Sequence, residues 1–396
     1  MALKFIDEID LKNKKIIARF DFNVPLSKDD KRTITDTTRI DESLPTIQYM
    51  LDQGASKIIL MSHLGRPDGT PNPKYSLEPV ASYLAQKLGV DVTLSEAAVD
   101  AGVDTLIFLN ETKIILLENL RFHKEEENND HEFAQKLASY ADIYVNDAFG
   151  VSHRKHASVY EINSFFKGKA VGGFLLKKEI QALSKVVDHP AKPFMGVIGG
   201  AKISDKIKTI EKLLVNVEYL FIGGAMAYPF LKAKDFSIGK SLCTDDDVAL
   251  AKKILAFDKA GKIQLPVDHV VSSTFDGTPE ACSSANIPAN KMGLDIGPKT
   301  LANYKEKLSL AKTILWNGPM GLFENKNFAA GTFELAKIIS ETNAFTVVGG
   351  GDSVAAVNKS GLASKFSHVS TGGGASLEYI EKGDLPGIFA LKFGVN

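Results

Sequence analysis

The feature that most narrows the folds open to this chain is a set of short apolar runs that do not alternate with polar residues. In the first half they span 16–20, 57–61, 114–117 and 143–145, and in the second half 194–198, 219–222, 313–316 and 345–348. A strand with one face in water alternates, whereas a strand that is apolar throughout is buried on both faces, which requires a parallel sheet covered by helices. Each run leads into a polar or glycine cluster and then a helical pattern, so both halves are expected to be α/β. The length of 396 residues leaves room for two or three domains. Residues 173–183 read as a helix and 189–193, which hold Pro190 and Pro193, as a connector, so the boundary is placed there.

In open parallel sheets ligands sit beyond the carboxyl ends of the strands, which makes the residue clusters after each run the place to look for chemistry. The two halves differ there. After the first-half runs stand Asp21-Phe22-Asn23, Ser62-His63-Leu64-Gly65-Arg66, Glu118-Asn119-Leu120-Arg121 and Asn146-Asp147-Ala148-Phe149-Gly150. After the second-half runs stand Gly199-Gly200-Ala201-Lys202, Gly223-Gly224-Ala225, Asn317-Gly318-Pro319-Met320-Gly321 and Gly349-Gly350-Gly351-Asp352-Ser353. The first set suits an anionic small molecule, the second a phosphate or flat ring approached by backbone. All six arginines (Arg19, Arg32, Arg39, Arg66, Arg121, Arg154) fall in the first 154 residues. The rigid guanidinium fork is the better grip on carboxylate or phosphate, although composition bias would produce the same asymmetry.

A net charge of -1 removes the basic excess of a nucleic-acid or anionic-membrane binder. Two cysteines without metal-ligand spacing support neither a disulfide framework nor a zinc site. Asp7, Glu8 and Asp10 break up any signal-peptide core and no apolar run nears the ~18 residues of a membrane helix, so a cytoplasmic location is expected.

Gly349 to Ser353 is expected to open a helix at 354–359, with free N–H groups directed at a ligand; a tight turn would use the same residues. Residues 371–376 repeat the device. Lys202 and Lys206 flank Ser204, read as the N-cap of a helix carrying Ile207, Ile210, Leu213 and Leu214. Cations in a first turn oppose the helix dipole, and a bound polyphosphate would reverse that sign. Arg39, near the start of the helix after Asp36-Thr37-Thr38, invites the same argument. His63 beside Gly65-Arg66 reads as an anion ligand. The acidic residues 125–130 read as a solvated loop before a helix starting near Glu132, without a function.

The strings RFDFNVPL (19–26), SHLGRP (62–67), ENLRFH (118–123), NDAFGVSHRKHAS (146–158), GGAKISDKI (199–207), GLDIGP (293–298), WNGPMGLFE (316–324), GGGDS (349–353) and STGGGASLE (370–378) together resemble phosphoglycerate kinases along nearly the whole chain. The resemblance implies two Rossmann-like three-layer α/β domains with parallel sheets joined by a hinge helix. Residues 1–172 and 385–396 would bind 3-phosphoglycerate, 173–188 would form the hinge helix and 189–384 would bind nucleotide. It implies that Asp21, Phe22, Asn23, Arg39, His63, Leu64, Gly65, Arg66, Arg121 and Arg154 hold 3-phosphoglycerate. Lys206, Gly293, Glu324, Gly350, Gly351, Asp352 and Ser353 would hold ATP or ADP, with Asp352 approaching Mg²⁺. Arg39, Lys202 and Gly373 would be the catalytic groups. A monomer with small-molecule partners, and neither nucleic acid nor membrane, is expected.

The acceptor carboxylate is already ionised at neutral pH, so no general base is needed; positioning and charge neutralisation remain, with closure of a hinge in 171–193. Another nucleotide-dependent kinase or ligase, or a non-catalytic binder or surface adhesin on this fold, stays open at this level.

Overall fold

The apolar runs become strands whose successive residues feed two different cores. In the computed structural model, which describes residues 3–30 and 32–395, Ile16 and Ala18 join one buried cluster and Ile17 another. Ile58 and Leu60 part in the same way from Ile59 and Met61, and Ile114 and Leu116 from Ile115 and Leu117. With both faces covered, no position has a reason to be polar, which is why these runs lack alternation. Met1, Ala2, Lys31 and Asn396, all within the span expected for the first domain, lie outside the described residues.

The chain forms two units, one from Met1–Gln181 with Asp384–Asn396 and one from Ala182–Gly383. In the first, β1 (Lys15–Arg19), β2 (Lys57–Met61), β3 (Val92–Leu94), β4 (Ile114–Leu116), β5 (Ile143–Asn146) and β6 (Ala170–Gly172) make one parallel sheet in the order β3-β4-β2-β1-β5-β6. Helices Leu44–Asp52 and Glu78–Leu88 supply Ile47, Met50, Val80 and Leu84 to one core. Helices Ala101–Phe108 and His131–Ala138 supply Val103, Ile107, Phe133 and Leu137 to the other. The last two begin where Asp100 and Asp130 accept from the backbone N–H groups of Val103 and Phe133, a side-chain cap on an otherwise unpaired donor. The C-terminal helix Pro386–Phe393 belongs to this unit, tied by Gly387 N–H to Ser152 O at 2.8 Å.

In the second unit β7 (Phe194–Ile198), β8 (Tyr219–Ile222) and β9 (Ile263–Gln264) join three later strands, and β10 (His269–Ser272), β11 (Glu280–Cys282) and β12 (Met292–Ile296) form an antiparallel sheet of their own. With β13 (Thr313–Asn317), β14 (Phe345–Gly349) and β15 (His368–Val369) the main sheet is parallel, in the order β15-β14-β13-β7-β8-β9. Met195, Val197 and Trp316 pack on helices Pro298–Leu308 and Ala330–Ser340, while the opposite side of β7 carries Gly196, against which Leu213 and Leu220 lie. The antiparallel sheet was not read from the sequence, because β11 is an exposed Glu-Ala-Cys segment and β12 carries Gly293 and Asp295 in place of an apolar run.

Helix Phe174–Val187 runs past the expected residue 183, and the division between the units falls inside it, after Gln181. Its start is built on β5: buried Asp147 accepts from Leu176 N–H at 2.9 Å, and the Thr46 hydroxyl accepts from Phe174 N–H at 3.0 Å. Gly173 has no room for a side chain, since a Cβ there would lie 2.3 Å from the Asp147 carboxyl carbon. Burial pushes the Asp147 pKa up to about 7, against the pull of the Thr46, Leu176 and Leu175 hydrogen bonds. Between about pH 4 and 7 the unfolded chain has lost this proton while the folded one keeps it, so stability from this group falls as pH rises through that window. Asp147→Asn should therefore gain on the wild type between pH 5 and pH 8 in urea unfolding; the same difference in midpoint at both pH values would show that Asp147 ionises normally.

Candidate active site

In the first unit the site is assembled from the loops after β1, β2 and β4. The Ser62 hydroxyl bridges two of them, accepting from Phe22 N–H at 2.8 Å and donating to Phe20 O at 2.9 Å. Asn23 Oδ1 accepts from Gly65 N–H at 2.9 Å, and Arg121 Nη1 donates to Gly65 O at 2.9 Å. Asn119 Nδ2 donates to Leu64 O at 2.8 Å. These bonds consume the loop backbone's own hydrogen-bonding groups and hold the loops in one geometry.

Arg39 stands on the short helix Thr38–Asp41 rather than on a long one. One of its nitrogens, Nη1, donates to Asp21 Oδ2 at 2.8 Å and to Asn23 O at 3.3 Å. Nε and Nη2 make no hydrogen bond with the described residues, and the side chain is 35% exposed. Half of the guanidinium is anchored and half is open to a ligand. His63 is buried, and burial together with Arg19, Arg121 and Arg39 holds its pKa well below the usual histidine range. A ring so held is a neutral hydrogen-bonding group at pH 7.

Asp21, Asn23, Arg39, His63, Gly65 and Arg121 are thus brought together. Phe22 and Leu64 join them only through backbone, because both side chains are core: Phe22 stacks on Phe20 with centroids 5.3 Å apart, and Leu64 is 3% exposed. Arg66 and Arg154 are exposed and their guanidinium groups bond to none of the others.

The sequence reading missed one group. Glu126, taken as part of a solvated acidic loop, is fully buried on the short helix Lys124–Glu127. Its Oε1 accepts from Ser158 Oγ at 2.6 Å and lies 4.0 Å from Arg19 Nη2, which is equally buried. The available signal was Arg19 itself: an arginine inside the run Ile16 to Phe20 must be buried, and a buried cation needs an acidic partner.

In the second unit a cleft of about 160 Å³ is lined by Gly200, Gly224, Tyr228, Gly293, Leu294 and Leu322, with Glu324 and Asp352 among its polar members. The missing side chains shape it. A Cβ on Gly293 would lie 2.3 Å from the Tyr228 hydroxyl, and one on Gly318 would lie 2.2 Å from Gly199 O. Trp316 Nε1 donates to Gly318 O at 2.8 Å, so a core side chain sets the loop beside the cleft. A flat apolar ring fits such a slot.

Helix Gly351–Ser360 starts three residues earlier than the expected 354, which places Gly351, Asp352 and Ser353 in its first turn. Those first N–H groups have no partner inside the helix and carry the positive end of its dipole, a ready site for phosphate oxygens. Gly350, at φ 90°, makes the turn into it. The Ser353 hydroxyl is not open to a ligand, because it is buried and accepts from Gly318 N–H. Gly373, at φ 52°, precedes the second such helix, Gly374–Lys382, whose Ser376 lies against Gly349.

Ser204 is not an N-cap. It lies in a 3₁₀ turn, Ser204–Lys206, and helix Ile207–Asn216 starts without a side-chain cap. Lys206 turns back to donate to Gly199 O at 2.6 Å and Asn317 O at 3.3 Å, at the ends of β7 and β13. Its charge therefore meets carbonyls rather than opposing the dipole, and burial pushes it down to about 8 against the pull of Asp352 and Asp205. Lys202 is exposed and makes no hydrogen bond or ion pair with the described residues.

Mg²⁺ keeps several waters and takes one or two carboxylates plus substrate phosphates, so a single carboxylate such as Asp352, in the first turn of a helix, would be a sufficient protein share. No group of three or more His, Cys, Asp or Glu able to cage a metal occurs among the described residues. No helix among them is long and apolar enough to cross a membrane.

A family model described as phosphoglycerate kinase matches residues 6–383. A phosphoglycerate kinase of Anaeromyxobacter sp. (strain Fw109-5) is 51% identical over 399 residues, covering 99% of this chain and 100% of the relative. A cytosolic phosphoglycerate kinase of Triticum aestivum is 48% identical, covering 98% of this chain and 97% of its own. The solved phosphoglycerate kinase of Coxiella burnetii superposes with a TM-score of 0.88 at 37% identity over 100% of both chains. That of Pyrococcus horikoshii OT3 gives 0.85 at 30% identity over 99% of each.

Proposed function

The chain belongs to the phosphoglycerate kinase family, and from that premise we propose how its residues divide the work. The reaction is reversible, Mg²⁺-dependent transfer of a phosphoryl group between ATP and the carboxylate of 3-phosphoglycerate, a step of glycolysis. The cation cluster at the strand ends of the first unit takes 3-phosphoglycerate: Arg39, Arg121 and the exposed Arg66 and Arg154 meet its anionic groups, with Asn23 and His63 hydrogen-bonding to it. The cleft of the second unit takes the nucleotide, with the ring between Gly293 and Leu322, Glu324 at the rim and the phosphates at Lys206 and the turn Gly350 to Ser353. Asp352 would hold Mg²⁺, which when bound would neutralise phosphate charge.

The observation that carries this reading is the pairing of chemistries: a fixed cation cluster on one unit, and on the other an apolar slot that ends in a free helix N-terminus. No residue is needed as general base, since the acceptor carboxylate is ionised well below pH 7. Burial and the neighbouring cations lower the His63 pKa and make the ring a weak proton acceptor, which supports leaving it out of that role. What the protein adds is position and charge, with the free half of Arg39, Lys202 and the N–H groups after Gly373 set on the transferring group. Transfer needs the reacting oxygen and phosphorus within ~3–3.5 Å, and the proposed mechanism brings them there by hinge closure, with helix Phe174–Val187 as the hinge. The balanced charge supports the absence of a nucleic-acid partner, and the cytosolic relative supports a cytoplasmic location.

The test is a coupled assay in which 1,3-bisphosphoglycerate is reduced by an NADH-dependent dehydrogenase. Turnover should require 3-phosphoglycerate, ATP and Mg²⁺ together; turnover without 3-phosphoglycerate, or none from folded protein, would overturn the reading. Arg66→Ala, which removes an exposed cation without disturbing any internal bond, should weaken 3-phosphoglycerate about tenfold in calorimetry and leave ATP unchanged. Equal loss for both ligands would move Arg66 out of the acceptor site.

A further inference from the structure

Arg19, the last residue of β1, spends every arm of its guanidinium inside the protein. Nε donates to Ser158 Oγ at 2.9 Å, Nη1 to Phe20 O, and Nη2 lies 3.2 Å from His63 Nδ1. Glu126 lies 4.0 Å from Nη2, with Ser158 donating to the same carboxylate oxygen, so charge and plane are both held. Arginine has only donors to offer, which leaves His63 Nδ1 the acceptor and puts the ring proton on Nε2. The other tautomer has nowhere to place its proton: Asp21 Oδ1 is 3.9 Å from Nδ1, beyond hydrogen-bond reach. That oxygen already accepts from Asn23 N–H at 3.2 Å. Nε2 makes no hydrogen bond with the described residues.

We propose that Arg19 is a positioning residue that fixes His63 as a neutral Nε2–H donor, ready for an oxygen of the anionic acceptor without a protonation step. The proposal rests on the reading of His63 as a 3-phosphoglycerate ligand. The charged and titratable groups around the ring are Arg19, Arg121, Arg39, His156 and Asp21. Four are cationic or basic, so a second ring proton is opposed, and the single carboxylate is already paired with Arg39 at 2.8 Å.

Long-range ¹H–¹⁵N correlation spectra of the full-length protein labelled in histidine test this directly, with His63 assigned by its loss in His63→Gln. The expected ring is the neutral Nε2–H tautomer from pH 6 to 8, and saturating 3-phosphoglycerate should move the Nε2 resonance. An Nδ1–H ring or an imidazolium at pH 7 overturns the proposal whatever the substrate does. An Nε2–H ring whose resonances ignore 3-phosphoglycerate overturns the ligand reading, and with it the donor role, while leaving Arg19's hold on the ring in place. In Arg19→Met the tautomers should mix and the Kd for 3-phosphoglycerate rise tenfold or more, with that for ATP unchanged. A folded Arg19→Met with an unaltered His63 ring would refute the positioning role, and the wild-type spectrum decides the tautomer if that variant does not fold.

Discussion

Arg39→Ala is expected to lower kcat by about a hundred- to a thousandfold, the range seen when one preorganised electrostatic group is removed from a transition state. The geometry gives the reason. Nη1 is anchored on Asp21 and Asn23, so the open Nε and Nη2 are held in place and need no reorganisation when charge develops. Removing the side chain also leaves Asp21 without its cation, and His63 beside it is neutral and cannot replace it. The acceptor pocket then carries an unpaired carboxylate facing an anionic substrate, so the KM for 3-phosphoglycerate should rise together with the loss in kcat, while ATP affinity holds. Arg39→Lys should not rescue, because an ammonium is a single point charge and cannot both sit on Asp21 and reach a ligand. Steady-state kinetics decide it: a wild-type kcat in Arg39→Ala would remove this residue from the transferring group.

Lys202→Ala is expected to cost about a hundredfold in kcat for a different reason. Lys202 is exposed and unpinned, so its removal breaks nothing in the resting protein and thermal stability should be unchanged. It contributes only when the transferring group arrives, an interaction made in the transition state more than in the ground state, and such a loss lowers kcat and kcat/KM together. Lys206 forms the contrast. It is half-buried and donates to two strand-end carbonyls, so Lys206→Ala would leave those carbonyls without this donor and damage fold and affinity at once. A change in Lys202→Ala confined to KM would make it a binding group instead.

How far these sites could be read from the sequence follows from burial. Strands covered on both faces announce themselves, and Lys57–Met61 and Phe194–Ile198 have the expected ends. The grouping of Asp21, Asn23, His63, Gly65 and Arg121 could be read because the residues that follow neighbouring strands of a parallel sheet gather at its carboxyl edge. The sheet of β10 to β12 could not be read, since β11 is largely exposed and β12, although buried, carries Gly293 and Asp295 in place of an apolar run. Glu126 looked like its solvated neighbours because a charge run does not say which member turns inward; only its partner Arg19, 107 positions away, does. Ser204 has the composition of a cap, yet a 3₁₀ turn intervenes and Lys206 takes the position before the helix. Phe22 and Leu64 stand within the strings expected to bind 3-phosphoglycerate, but their side chains are taken up by the core, so only their backbone is left to meet a ligand.

The return of the C-terminal helix to the first unit has a consequence for how the protein is made. Ala182–Gly383 is continuous in sequence, whereas the first unit lacks Pro386–Phe393 until the whole of the second has been translated. At ~5–20 residues per second the N-terminal part waits on the order of 10–40 s for the segment that joins Gly387 to Ser152. The half of the molecule that is translated first is the half that is finished last.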